Sequence, residues 1–119
     1  MDPARLTPAG FGIDELCKLM EGCDVLVNCT SLGMEGTGKD FADFSFVDAL
    51  PPGAAVCDAI YAPAETTLLR RARETGRLTM NGMGMLLHQA ILALEHFTGE
   101  KLDVERAKGA ALAALAEEG

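Results

Sequence analysis

Three short apolar runs alternate with longer stretches of helical spacing along this 119-residue chain. We predict strands over residues 24–29, 54–60 and 77–80. The first two are apolar without alternation, which is typical of strands covered on both faces. Around them, apolar residues recur every three or four positions, which predicts helices. This alternation favours an α/β fold in which helical crossovers join parallel strands.

Helices are predicted over residues 13–20, 44–50, 65–74, 83–97 and 104–117, and they leave room for a single domain spanning residues 1–119. The longest of them has an apolar face, widened by Leu87 and Ile91. Its members are Leu86, Ala90, Ala93, Leu94 and Phe97.

Composition and charge exclude several classes of function. The formal net charge of −8 lacks the basic footprint of a nucleic-acid-binding protein and disfavours an anionic membrane surface. No apolar run approaches the roughly 20 residues of a membrane span, and the first residues do not resemble a signal peptide, so a cytoplasmic protein is predicted. The four cysteines, Cys17, Cys23, Cys29 and Cys57, form no pair spaced for metal. We interpret them as small buried hydrophobes, in preference to a metal cluster with His88 and His96.

The segment from Asn28 to Met34 follows the first predicted strand directly. The carboxyl ends of parallel strands are where open α/β sheets hold ligands. There Asn28, Thr30 and Ser31 offer amide and hydroxyl groups, and Gly33 permits a positive φ. The alternative is an ordinary turn in which these side chains satisfy their own backbone.

Tyr61 lies just beyond the second predicted strand, in the run Asp58-Ala59-Ile60-Tyr61-Ala62-Pro63. Pro63 suits the first turn of the helix that follows. At the carboxyl end of its strand, the Tyr61 hydroxyl can reach a polar substrate. A half-buried or surface tyrosine without a function is the alternative.

The segment from Gly82 to Gln89 opens the longest predicted helix. Gly82 and Gly84 make a flexible entrance, and helix N-termini favour polar or anionic ligands. Gln89 lies within the first two turns, where its amide can point into a cleft. The alternative is a capped helix with a surface glutamine.

These three segments resemble the C-terminal half of the shikimate dehydrogenase family and its quinate/shikimate relatives. The first matches Asn-x-Thr-(Ser/Pro)-x-Gly-Met, the second Asp-x-x-Tyr-x-Pro-x-x-Thr-x-Leu-Leu, and the third Gly-x-Gly-Met-Leu-(x)-x-Gln. The resemblance implies a Rossmann-like cofactor domain of three layers. It also implies an oxidoreductase of aromatic amino acid biosynthesis that interconverts 3-dehydroshikimate and shikimate with NADP or NAD, or that oxidises quinate.

The resemblance also implies roles for individual residues. The substrate would contact Tyr61 and Gln89. The nicotinamide cofactor would lie beside a larger set, namely Asn28, Thr30, Ser31, Gly33, Met34, Ala59, Gly82 and Met85.

Several features of the family have no counterpart in these 119 residues. Its proton-transferring Lys and Asp belong to an N-terminal substrate domain, and the adjacent Lys39 and Asp40 are not taken as their equivalents. No Gly-x-Gly-x-x-Gly turn follows a strand. About three parallel strands with flanking helices amount to one half of a doubly wound fold, so the first mononucleotide half is missing. The sequence therefore does not choose between NAD and NADP, or between shikimate and quinate.

Two interpretations stay open. In the first, the chain is part of a dehydrogenase and is inactive until an N-terminal half is supplied. In the second, it is a non-catalytic remnant that associates with itself or binds a nucleotide weakly. In either case an unpaired sheet edge and an apolar helix face predict a homodimer, in which the two copies can exchange helices.

Overall fold

The structure, a computed structural model, describes residues 5–118. It contains every predicted element in the predicted order, with boundaries that differ by no more than two residues. The helices are α1 (Ile13–Met20), α2 (Ser45–Asp48), α3 (Thr67–Glu74), α4 (Met83–Thr98) and α5 (Val104–Glu118). The strands are β1 (Val25–Asn28), β2 (Ala55–Asp58) and β3 (Leu78–Met80).

The strands form one parallel sheet in the order β1-β2-β3, which confirms the α/β prediction. Asn28 lies opposite Asp58, and Val27 lies opposite Cys57, which in turn faces Met80. Because the strands are parallel and in register, the residues that follow β1 and β2 emerge at the same edge of the sheet.

Helices α1, α2 and α3 cover one face of the sheet and build the core there. Its buried members are Met20, Phe46, Val47, Leu50, Ala54, Val56, Leu68, Leu69 and Ala72. On the other face Val25 and Val27 are 55% and 53% exposed. The prediction of strands covered on both faces is therefore wrong for β1. An uninterrupted apolar run shows that both sides of a strand are apolar. Whether each side is buried depends on which other elements pack against it.

The chain divides into two compact units, one ending at Asn81 and the other beginning at Gly82. In the second unit α4 contacts α5 and ends at Gly99, whose φ of 73° is left-handed. Leu87 and Ile91 of α4 are buried, whereas Leu94 and Phe97 are 52% and 83% exposed. Helix α4 is apolar around most of its circumference, so the spacing of its apolar residues alone does not tell which side is buried.

None of the helices described over residues 5–118 is both long enough and apolar enough to cross a bilayer.

Candidate cofactor and substrate site

A buried carboxylate organises the carboxyl edge of the sheet. Asp58, at the end of β2, is 3% exposed. Its Oδ1 accepts hydrogen bonds from Asn28 Nδ2 at 3.2 Å and from the Ile60 amide at 3.0 Å. Its Oδ2 accepts from Thr66 Oγ1 at 2.8 Å. One side chain thus joins the end of β1, the loop after β2 and the start of α3.

The Asn28 side chain connects Asp58 to the loop after β1 by hydrogen bonds. Its Oδ1 accepts from the Thr30 amide at 3.0 Å and from Thr30 Oγ1 at 2.7 Å, while Nδ2 also donates to the Leu32 carbonyl at 3.2 Å. The Leu32 amide donates to Thr30 Oγ1 at 3.1 Å. The polar atoms of the Asn28 side chain are therefore occupied within the chain, as the alternative of a self-satisfied turn expects. The exposed Ser31 lies on the outside of the same turn.

The two loops meet directly above the sheet. The Glu35 amide of the first loop donates to the Ala62 carbonyl of the second at 2.8 Å. Within the first loop, the Gly33 amide donates to the Lys39 carbonyl at 2.8 Å. Between the loops lies a cavity of about 220 Å³ lined by Met34, Glu35, Ala59, Ile60, Tyr61 and Ala62. The structure thus brings three residues of the predicted site, Met34, Ala59 and Tyr61, to one cavity.

The cavity has a mostly apolar lining, to which Tyr61 adds a polar hydroxyl group. Ala59 keeps the lining open because its side chain is small. Tyr61 is 44% exposed and Met34 is 42% exposed, so both remain accessible to a ligand. A flat ring of moderate polarity suits such a surface, with the phenol as a hydrogen-bond donor or acceptor.

Gly33 is required by the backbone of the first loop, since its φ is 94°. A Cβ there would meet Asp40 Oδ1 at 3.5 Å and Thr66 Cβ at 3.6 Å, which are ordinary contacts. We expect Gly33→Ala to lower the free energy of unfolding by about 1–2 kcal/mol because of the positive φ alone. Urea denaturation followed by circular dichroism measures this change.

Gly53→Ala is the matched control for Gly33→Ala. Gly53 is not among the positive-φ glycines, and a Cβ there meets nothing within 4 Å. We expect its free energy of unfolding to stay within about 0.5 kcal/mol of the parent chain or to rise slightly. Equal losses at the two glycines would contradict the role given to the φ of Gly33.

Helix α3 lies behind the site and has a side-chain cap and two exposed ion pairs. Thr66 caps it by accepting from the Leu69 amide at 3.3 Å. Arg71 Nε donates to Asp48 at 3.0 Å, and Arg73 Nε donates to Glu65 at 2.8 Å. These guanidinium hydrogen bonds lower the pKa of both carboxyl groups and raise the pKa of both arginines. Because the pairs are exposed, they contribute little to stability.

The remaining predicted residues lie in the second unit, at the start of α4. Gly82 is the N-cap with a φ of −81° and is buried. Met85 is 61% exposed and Gln89 is also exposed, so both side chains are accessible. The Leu86 amide donates to the Gly82 carbonyl at 3.0 Å, which closes the first turn.

The cysteines are free thiols. Cys17, Cys23 and Cys57 are half-buried, but Cys29 is exposed, so the prediction of four buried hydrophobes is wrong for Cys29. Its position just after β1, at the sheet edge, accounts for this. Across residues 5–118, no group of three or more His, Cys, Asp or Glu side chains is arranged to hold a metal ion.

Comparison with known proteins gives the family. Residues 82–112 match the model of the shikimate 5'-dehydrogenase C-terminal domain. The NADP(+) shikimate dehydrogenase of Haloarcula marismortui is 44% identical over 101 residues, which cover 85% of this chain and 37% of that protein. The chain belongs to the shikimate dehydrogenase family. It spans a little over a third of the length of this relative.

Solved structures of this dehydrogenase family share the fold. Quinate dehydrogenase from Corynebacterium glutamicum, in complex with NAD, superposes with a TM-score of 0.71 and 34% identity over 84% of this chain and 34% of that one. Shikimate 5-dehydrogenase from Listeria monocytogenes, in complex with shikimate and NAD, gives a TM-score of 0.70 and 31% identity over 82% of this chain and 34% of that one. The three-stranded parallel sheet and its helices are therefore those of the dehydrogenase family.

Asp58 and Thr66 both stand in the second family pattern, but the sequence alone assigned no role to either of them. In the structure, their hydrogen bonds join the loop after β2 to the start of α3 below the cavity. A signal was present, since a carboxylate ending an apolar strand cannot remain buried without hydrogen-bond donors. Thr66 is such a donor, and it also stands in the helix-capping position.

Proposed function

We propose that this chain supplies the nicotinamide-facing and substrate-facing wall of a shikimate dehydrogenase-type oxidoreductase. The reaction would interconvert 3-dehydroshikimate and shikimate, or a close relative such as quinate. The observation that carries the proposal is the cavity shared by Met34, Ala59 and Tyr61, on loops anchored through Asp58.

The residues present fit the nicotinamide end of NADP or NAD. The apolar lining of the cavity suits one face of the ring, with Met34 and Ala59 beside it. The family resemblance also assigns Gly82 and Met85 to the nicotinamide. When bound, the cofactor supplies a hydride acceptor or donor. The outer turn of Thr30, Ser31 and Gly33, positioned by Asn28, would border the rest of the cofactor.

Tyr61 and Gln89 would orient the substrate. A phenol and a primary amide both bind hydroxyl groups, and shikimate carries several of them. Each would hold the ring so that the carbon bearing the reacting hydroxyl faces the nicotinamide. Orientation of this kind lowers the barrier without any proton transfer by these two residues.

We propose that the 119 residues are inactive by themselves, because the family's proton-transferring Lys and Asp have no counterpart among them. To test this, the matched region of the Haloarcula marismortui enzyme is replaced by this chain, and nicotinamide absorbance is followed with shikimate and NADP. We expect no turnover from the chain alone and measurable turnover from the chimera. A folded chimera without turnover, or substantial turnover by the chain alone, would contradict the proposal.

Matched variants of the chimera locate the substrate contacts. Gln89→Ala and Tyr61→Phe should each lower kcat/KM roughly tenfold, since each removes one hydrogen bond to the substrate. His88→Ala is the control, since His88 is an exposed neighbour of Gln89 on α4 with no assigned role. We expect its kcat/KM to stay within about twofold of the parent. Equal losses at His88 and Gln89 would argue against the substrate role of Gln89.

The uncovered apolar face of the sheet supports a second proposal, that the chain associates with itself. Leu78 and Met80 of β3 are 73% and 66% exposed and continue the surface formed by Val25 and Val27. Exposed apolar surface of this kind favours association in water. A self-associating protein without catalytic function, or one that binds a nucleotide weakly, remains the second candidate.

A further inference from the structure

Glu35 is the one acidic residue among the six that line the cavity between the two loops. Its amide donates to the Ala62 carbonyl at 2.8 Å, which fixes the backbone of Glu35 beside the cavity. The rest of the lining is apolar apart from the hydroxyl of Tyr61. The cavity, at about 220 Å³, is smaller than the roughly 300–1,000 Å³ of drug-sized sites and suits a single small ring.

Glu35 is exposed, and its carboxylate has no counter-ion among residues 5–118. The two ion pairs in that range both involve arginines of α3. Lys39 is the nearest cation along the chain, but it contributes to the loop through its carbonyl, which accepts from the Gly33 amide. The charge of Glu35 is therefore available to a ligand.

A second carboxylate, that of Asp58, lies below the cavity. Its oxygens are occupied by three neutral donors from the surrounding loops and from the start of α3. Asp58 adds to the negative potential of the cavity, but it cannot be replaced without breaking that network. Glu35 can be, because none of the hydrogen bonds described for residues 5–118 uses its side chain. Its charge can therefore be tested separately from the loop structure.

We propose that the Glu35 carboxylate makes this cavity bind the oxidised nicotinamide ring more tightly than the reduced ring. The oxidised ring is a cation and the reduced ring is neutral, although the two have nearly the same shape. A carboxylate beside a mostly apolar wall attracts a cation and gains little from a neutral ring. This inference rests on the proposed function and adds the residue that sets the preference of the site between the two cofactor forms.

The preference has a direction for the proposed reaction. Ketone, proton and reduced cofactor stand on one side of the equilibrium, and alcohol and oxidised cofactor stand on the other. A site that binds the oxidised form more tightly shifts the equilibrium between the bound states toward the alcohol. Glu35 would thus favour reduction of the ketone without taking or giving a proton.

The expected effect is moderate because Glu35 is exposed to water. One unit charge at about 4–6 Å from a cation in water changes an equilibrium about fivefold. Salt screens such an interaction, with a Debye length of about 10 Å at 0.1 M and about 3 Å at 1 M. The preference should therefore shrink as sodium chloride is raised toward 1 M.

Two small amides test the charge on the 119-residue chain itself. 1-Methylnicotinamide is a cation and nicotinamide is its neutral counterpart, and the amide signals of Ala59 and Tyr61 in nuclear magnetic resonance spectra follow the binding of each. We expect the cation to bind about five times more tightly to the parent chain. Glu35→Gln should bring the two affinities together by weakening the cation alone, with nicotinamide unchanged within about twofold.

Glu21→Gln is the matched control, since it makes the same chemical change and the same change in net charge. Glu21 is the C-cap of α1 and precedes β1, so it lies at the opposite edge of the sheet. The four residues of β1 span roughly 13 Å, which exceeds the Debye length at 0.1 M salt. We expect Glu21→Gln to keep the parent preference. Equal effects of the two glutamine variants, equal affinities of the parent chain for the two amides, or binding of neither amide would overturn the inference.

The chimera gives a second readout with the complete cofactors. Calorimetry measures the dissociation constants of NADP+ and NADPH, and Glu35→Gln should lower the ratio of the NADPH constant to the NADP+ constant about fivefold. A chimera that turns over and binds both forms, but whose ratio is unchanged by Glu35→Gln, would overturn this inference and leave the proposed function standing. A folded chimera that binds neither form would overturn both.

Discussion

Asp58→Ala is expected to lower the free energy of unfolding by about 3–5 kcal/mol, because it removes the acceptor of three buried hydrogen-bond donors, of which only Asn28 Nδ2 keeps another acceptor, the Leu32 carbonyl. These donors are Asn28 Nδ2, the Ile60 amide and Thr66 Oγ1. The loops after β1 and β2 would lose their common anchor, so the cavity between Met34 and Tyr61 would lose its fixed shape. Urea denaturation followed by circular dichroism gives the free energy.

Two controls separate the buried network from loss of charge. Asp58→Asn retains one oxygen acceptor and the shape of the side chain, so about 1–2 kcal/mol should be lost. Asp48→Ala removes a carboxylate that is 43% exposed and paired with Arg71, and should cost less than about 1 kcal/mol. A change below about 1 kcal/mol for Asp58→Ala would show that the network does not hold the loops. Faster exchange of the Thr30 and Ile60 amides should accompany the large loss.

Phe46→Ala is expected to lower the free energy of unfolding by about 3–5 kcal/mol, since it opens a cavity in the only core that α1, α2 and α3 share with the sheet. Phe46 is 3% exposed, and its ring lies 5.3 Å from that of Phe41 and 6.4 Å from that of Phe44, between centroids. A small domain has little stability in reserve, so the loss of one large core side chain is a large fraction of the total. The variant should therefore be partly unfolded at moderate temperature, which a thermal scan by circular dichroism would detect.

Phe11→Ala is the control for residue type. Phe11 also stacks on Phe41, but it is 61% exposed, so about 1 kcal/mol or less should be lost. The measurement is made at a protein concentration of about 5 µM, so that self-association of the chain does not contribute to the difference. Similar losses for both phenylalanines would contradict the placement of the core around Phe46.

Periodicity predicted all eight elements because each has a local signal. Strand β1 is an apolar run that ends at Asn28, and α3 ends before Gly76, whose φ is 84°. Such signals depend on a few neighbouring residues, which the sequence displays directly. The family patterns around Thr30, Tyr61 and Gln89 are local in the same way, and they were sufficient to identify the dehydrogenase family.

The sequence by itself determined the order of the elements, the parallel sheet and the family, because these follow from apolar spacing and short motifs. Only the tertiary structure decided which apolar surfaces are covered and which polar groups hold the site. Val27 and Val56 look alike in sequence, yet Val27 is 53% exposed and Val56 is fully buried, because Val56 lies on the sheet face that α1, α2 and α3 cover and Val27 lies on the opposite face. Asp58 likewise became the anchor of two loops because β1, β2 and α3 bring its donors together from distant positions in the chain.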